Sequence, residues 1–138
     1  MKSIINRYSS DKLSQNAYKI LRDRYFLKDG ESNYLEKDWS QIALRVARHV
    51  ASAEILYTQD ILKIREAEAT FYDLIQARVF LPNSPTLFNC GKTMKRELFE
   101  KPLTEMSIDD YKEIFSSRTH HNMLSACFVV PMDDSMNG

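Results

Sequence analysis

Apolar residues recur at helical spacing over most of the first eighty positions. Ala17, Ile20, Leu21 and Tyr25 form a stripe behind Ser14, which stands where an N-cap would, with Leu13 placed to staple the first turn. Asp29-Gly30 marks the turn that follows. A second helix opens with Asp38 as N-cap and Gln41 at the position from which a capping-box side chain reaches back. Trp39, Ile42, Ala43, Val46, Val50, Ala53 and Tyr57 then run along one face. A third helix starts near Asp60 and carries Ile61, Ile64, Phe71, Leu74 and Ile75. The pattern predicts three core-forming helices.

At Phe80-Leu81-Pro82 the periodicity breaks. Pro82 and Pro85 each remove a backbone donor and push the preceding residue into extended geometry, which predicts an ordered loop at Asn83-Ser84-Pro85-Thr86. Residues 92 to 106 are charged and irregular, and Ser107 followed three positions later by Asp110 predicts one more helix through Phe115. Leu124-Ser125-Ala126-Cys127-Phe128-Val129-Val130, ended by Pro131, is the best strand candidate. The expected fold class is therefore mainly α, a helical domain followed by a lone strand. Such a strand asks for a sheet that this sequence does not contain.

Composition narrows the function classes. The chain has 138 residues, 43% hydrophobic and 28% charged, enough for one domain with a real core. Its 19 basic and 19 acidic side chains cancel, so no electrostatic case arises for nucleic acid or an anionic membrane surface. Residues 1–48 hold ten basic and six acidic groups, a small asymmetry expected on solvated helix faces. Glycine occurs only at Gly30, Gly91 and Gly138, which excludes a glycine-rich phosphate loop. Neither a signal peptide nor an apolar run of bilayer length is present, and the expectation is a cytoplasmic protein. Cys90 and Cys127 then sit in a reducing compartment, where a static disulfide is disfavoured and a transient catalytic one is allowed.

The residues leave several chemical readings open. Cys127 follows the small residues Ser125 and Ala126, which would let a reactant approach the sulfur; a buried inert thiol is the alternative. Cys90 and Cys127 lack the C-x-x-C spacing of a redox pair. Cys90, His120, His121 and Cys127 supply zinc-type ligands without the paired spacing of a zinc site, so no metal site is expected. His49 reads as a helix-surface or boundary residue, and Asp133 and Asp134 as a solvated turn. The loop Asn83–Thr86 offers fixed hydroxyl, amide and backbone donors suited to an anionic ligand, or else a turn that caps a short helix through Ser84 or Thr86. Most of the aromatic residues fall on the helical stripes, where packing accounts for them.

Two segments read together are more specific. Phe80-Leu81-Pro82-Asn83-Ser84-Pro85-Thr86-Leu87-Phe88-Asn89 and Leu124-Ser125-Ala126-Cys127-Phe128-Val129-Val130-Pro131-Met132-Asp133-Asp134-Ser135-Met136 resemble the large catalytic subunit of ribonucleotide reductase, most closely its adenosylcobalamin-dependent class. Leu13-Ser14-Gln15-Asn16-Ala17 leading to Arg24-Tyr25, and Arg45-Val46-Ala47 with Ala53-Glu54, are similar to the helical domain that precedes the catalytic barrel in that family. The iron-dependent reductases share this domain plan and are the alternative class within the family.

The resemblance implies an all-α domain over residues 1–91, a helical connector over 92–121 and the first strand of an incomplete α/β barrel over 122–138. It implies that Cys127 is one of two redox thiols reducing the ribose, re-reduced by a thioredoxin-type reductant. Thr86, with Ser84 beside it, falls where the family meets the substrate diphosphate, and Ser125 and Ala126 fall beside the ribose. The second redox cysteine, the thiyl cysteine, the catalytic Glu and Asn and most of the cobalamin-binding surface belong to later barrel elements. The expectation is thus a fragment of a ribonucleoside-diphosphate reductase, inactive without its barrel portion. A non-enzymatic helical module that binds a partner through the unpaired strand is the alternative.

Overall fold

The structure, a computed structural model, describes residues 13–117 and 123–127. Helix α1 (Gln15–Arg24) is capped by Ser14, whose hydroxyl accepts from the Ala17 amide at 3.2 Å. Leu13, Leu21 and Tyr25 lean on the core, while Ile20 points outward at 53% exposure, so α1 lies along the surface. In the turn that follows, the Asp29 carboxylate accepts from the Glu31 and Asn33 amides. The left-handed residue there is Ser32, at φ 67°, rather than Gly30.

Helices α2 (Trp39–Ala51) and α3 (Ile61–Gln76) form the centre of the molecule and pack on each other more extensively than any other pair. Asp38 caps α2 through the Gln41 amide at 3.0 Å, and the Gln41 side chain reaches back to the Lys37 amide. Asp60 caps α3 through the Leu62 amide at 3.0 Å. The indole N–H of Trp39 donates to the Ile75 carbonyl at 3.0 Å, fastening the start of α2 to the end of α3. After Ala51 the chain tightens into a 3₁₀ turn (Ser52–Leu56), which shifts the phase of the apolar stripe. Tyr57, expected on the core face, is consequently exposed at 82%; Val50, still within α2, is exposed as well.

Two apolar clusters result. The first joins Phe26, Trp39, Ile42, Val46, Ile75 and Leu87; the second joins Ile64 to Leu98, Met106, Tyr111 and Ile114. Each fully buried side chain of this size contributes about 1.5–3 kcal/mol relative to exposure. The second cluster draws in the charged stretch after Gly91, which folds into α5 (Arg96–Glu100), a 3₁₀ turn (Leu103–Glu105) and α6 (Ile108–Ser116). The predicted Ser107/Asp110 start of α6 is a reciprocal capping box.

Buried charge ties these pieces together. Arg48, 1% exposed, bonds Glu68 at 2.8 Å and donates to the carbonyls of Leu98, Phe99 and Lys101. Tyr111 completes the network by donating to the other Glu68 oxygen at 2.5 Å. Burial, with the Glu68 carboxylate beside it, pushes the Tyr111 hydroxyl well above its ordinary pKa.

The lone strand is not formed where the structure describes it. Residues 123–127 are irregular, with a bend at Ala126, and no strand lies among the described residues for Leu124 to pair with. Phe128 to Val130 lie outside the described residues.

Candidate functional site

The proline loop builds a short helix. Asn83, held extended before Ser84-Pro85, caps α4 (Ser84–Asn89) by accepting from the Thr86 amide at 3.2 Å, and Pro85 occupies the first turn, where its missing donor costs nothing. The cap is thus Asn83, in place of the Ser84 or Thr86 cap that the sequence offered. Tyr25 braces the same turn: its ring stacks on Phe88 at 4.6 Å and its hydroxyl lies 3.0 Å from the Ser84 hydroxyl.

Helix α4 carries the second segment of interest on its side chains. The Thr86 hydroxyl donates to the Leu124 carbonyl at 2.7 Å, and the Asn89 amide donates to the Met123 carbonyl at 2.7 Å. Two side-chain donors therefore take the carbonyls that a sheet partner would otherwise satisfy. Leu124 packs against the first apolar cluster, and Ser125, Ala126 and Cys127 emerge from it exposed.

From behind, α4 is gripped by α2. Arg45 donates from Nη1 to the Cys90 carbonyl at 2.6 Å and from Nη2 to the Leu87 carbonyl at 2.9 Å. Glu36 holds the guanidinium, with Nε to Oε1 at 2.5 Å, and also accepts from the Leu27 amide. Gly91, at φ 75°, lets the chain pass flush against Arg45.

The five residues singled out in the sequence are thus partly assembled. Thr86 is joined to the Cys127 segment, Ser84 stands in the same turn of α4 beside Tyr25, and Ser125, Ala126 and Cys127 form the exposed stretch beyond Leu124. Cys90 and Cys127 are both reduced, but their settings differ: Cys90 is fully buried and Cys127 exposed. One expectation is corrected. His49 is buried inside the bundle at 2% exposure, with Nδ1 2.8 Å from the Cys90 sulfur, because helix α2 is covered on that side by the turn at Cys90-Gly91. Arg45 and Glu36 are buried beneath the C-terminal end of α4.

Among the described residues no group of three His, Cys, Asp or Glu side chains is placed to hold a metal ion. His120, His121, Asp133 and Asp134 lie outside the described residues. No described helix is long and apolar enough to cross a membrane. An open cleft of about 850 Å³, counted with the solvent at its mouth, runs between Tyr25, Leu27, Lys28, Phe88 and Asn89.

The family model described as "Ribonucleotide reductase, all-alpha domain" matches residues 11–95, which contain α1 to α4 with Arg45, Ser84 and Thr86. The chain belongs to the ribonucleotide reductase family. It is 32% identical over 125 residues to the vitamin B12-dependent ribonucleoside-diphosphate reductase of Mycobacterium tuberculosis, in both strain CDC 1551 / Oshkosh and strain ATCC 25618 / H37Rv. The aligned stretch is 91% of this chain and 14% of each relative, so the chain spans a small part of those reductases. The mainly helical fold is that of the family's all-α domain, and the Arg45 grip on α4 lies within it.

Proposed function

We propose that this chain is the N-terminal part of an adenosylcobalamin-dependent ribonucleoside-diphosphate reductase. It supplies one edge of the substrate site to a catalytic barrel that opens at residues 122–138. The supporting observation is the Thr86–Leu124 hydrogen bond, which joins two segments 38 positions apart and sets the polar turn of α4 beside the Cys127 stretch. In this reading Thr86 and Ser84 contact the substrate diphosphate, and Ser125 and Ala126 border the ribose. Cys127 is one of two thiols that reduce the 2′ carbon. The 2′ C–O bond breaks, the oxygen leaves as water and a C–H bond forms. The two thiols together give up two electrons and two protons and become a disulfide, which a thioredoxin-type reductant reopens.

The relatives are named as dependent on vitamin B12. Its seat is assigned to the remainder of the enzyme. The test is complementation. Mixing the 138-residue chain with the barrel portion of a B12-dependent reductase, cofactor and thioredoxin restores deoxynucleotide formation, and Cys127→Ser abolishes turnover while leaving assembly intact. Full turnover by the serine variant overturns the redox assignment.

A further inference from the structure

Helix α4 has six residues, too few to hold a direction on its own. Its N-terminal turn carries Ser84 and Thr86, while two carbonyls at its C-terminal end are held from inside the protein by the Arg45 side chain. Arg45 reaches the carbonyls of Leu87 and Cys90 with separate nitrogens and meets Glu36 with Nε and Nη2. Both residues are 1% exposed. Glu36 in turn accepts from the backbone of Leu27, so the pair also anchors the segment that leaves α1.

Stability alone does not call for this arrangement. A buried ion pair loses much of its Coulomb attraction to desolvation and is often replaced by apolar residues without loss of stability. What only a guanidinium supplies is a planar fork that meets two carbonyls and a carboxylate at fixed angles. Resting on the function proposed above, we propose that Arg45, oriented by Glu36, is a positioning residue. By fixing the C-terminal end of α4 it sets where Ser84 and Thr86 stand relative to Leu124 and Cys127.

The test compares the double variant Glu36→Met/Arg45→Met with Arg45→Lys and with the unaltered chain. The double variant removes both charges and keeps the volume, but it leaves the Leu27 amide and the Leu87 and Cys90 carbonyls unpaired. Its urea midpoint therefore falls, and both measurements are made well below that midpoint, where it is folded. In the full chain, amide exchange at Leu87 and Cys90, whose N–H groups bond Asn83 and Thr86, rises about tenfold relative to amides in the middle of α3. With the barrel portion supplied, KM for the nucleotide rises about tenfold or more while kcat changes less than about twofold. Unchanged exchange and unchanged KM in a folded double variant overturn the proposal. Should the double variant fail to fold, Arg45→Lys, which keeps the charge but loses the fork, is read by the same two measurements. If the unaltered chain with the barrel portion makes no deoxynucleotide, the proposed function falls, and the exchange measurement still decides whether Arg45 positions α4.

Discussion

Gly91 is the position where one added carbon would be felt most. Its φ of 75° is left-handed, which costs a residue with a Cβ about 1–2 kcal/mol. The same Cβ would stand 2.7 Å from Cγ and 3.0 Å from the carbonyl oxygen of Arg45, and 3.4 Å from Cβ of His49. Neither Arg45 atom can yield cheaply, because the side chain is pinned by Glu36 and two carbonyls and the oxygen belongs to α2. Overpacking of that kind costs about 1–3 kcal/mol. Gly91→Ala therefore destabilises by about 2–5 kcal/mol, a large share of the roughly 5–15 kcal/mol of an ordinary domain. Gly30→Ala is the internal control, since nothing lies within 4 Å of its added Cβ and its φ is not left-handed; it shifts stability by less than about 0.5 kcal/mol. Urea unfolding followed by far-UV circular dichroism measures both, as a change of midpoint at constant slope. A Gly91→Ala shift no larger than that of Gly30→Ala refutes the close approach of residue 91 to α2.

Three further outcomes follow from the geometry. Tyr111→Phe removes a 2.5 Å hydrogen bond to a buried carboxylate and lowers stability by about 1.5–3 kcal/mol in the same urea assay, with α6 loosened first. At Asp110 desolvation opposes the charged form, but hydrogen bonds from Lys101 and Ser107 outweigh it and hold the carboxyl below its ordinary 3.8. Its folded pKa being the lower one, its contribution is complete above 3.8 and is lost as pH falls through the folded value; Asp110→Asn flattens that part of the stability–pH curve. A thiol reagent such as DTNB labels Cys127 rapidly in the native chain and Cys90 only after unfolding, so equal rates at the two cysteines contradict the buried setting of Cys90.

What could be read from the sequence was what is decided locally. Ser14, Asp38, Asp60 and Ser107 cap helices because each side chain bonds an amide two or three residues ahead, and the apolar spacing of α2 and α3 follows from helix geometry alone. Arg45, Arg48, Glu36 and Glu68 were illegible for the opposite reason. Their burial depends on carbonyls and partners from 9 to 53 positions away, which no local pattern encodes. His49 was misplaced likewise, since the Cys90 turn that covers it lies 41 residues later. The stripe through Tyr57 failed because it assumed one uninterrupted helix, and the 3₁₀ turn rotated it outward. At the site, the proline loop and the Cys127 segment were each recognisable, but their junction rests on Thr86 and Asn89 hydrogen bonds that only the folded chain makes. Leu124 to Cys127 spell a strand, and without a neighbouring strand among the described residues the Met123 and Leu124 carbonyls are taken by side chains instead.

The bond between Trp39 and Ile75 makes the chain its own spectroscopic probe. Trp39 is the single tryptophan, so all indole emission originates at the place where α2 begins and α3 ends. Its ring is 8% exposed and its N–H is engaged, and separation of the two helices would red-shift the spectrum. The apolar cluster of Ile64, Met106, Tyr111 and Ile114 does not include the indole, whereas dichroism responds to every helix. A fluorescence transition that lags the dichroism transition would thus show the region from Arg96 to Ser116 melting away from a still-closed α2–α3 pair, with no label added to the protein.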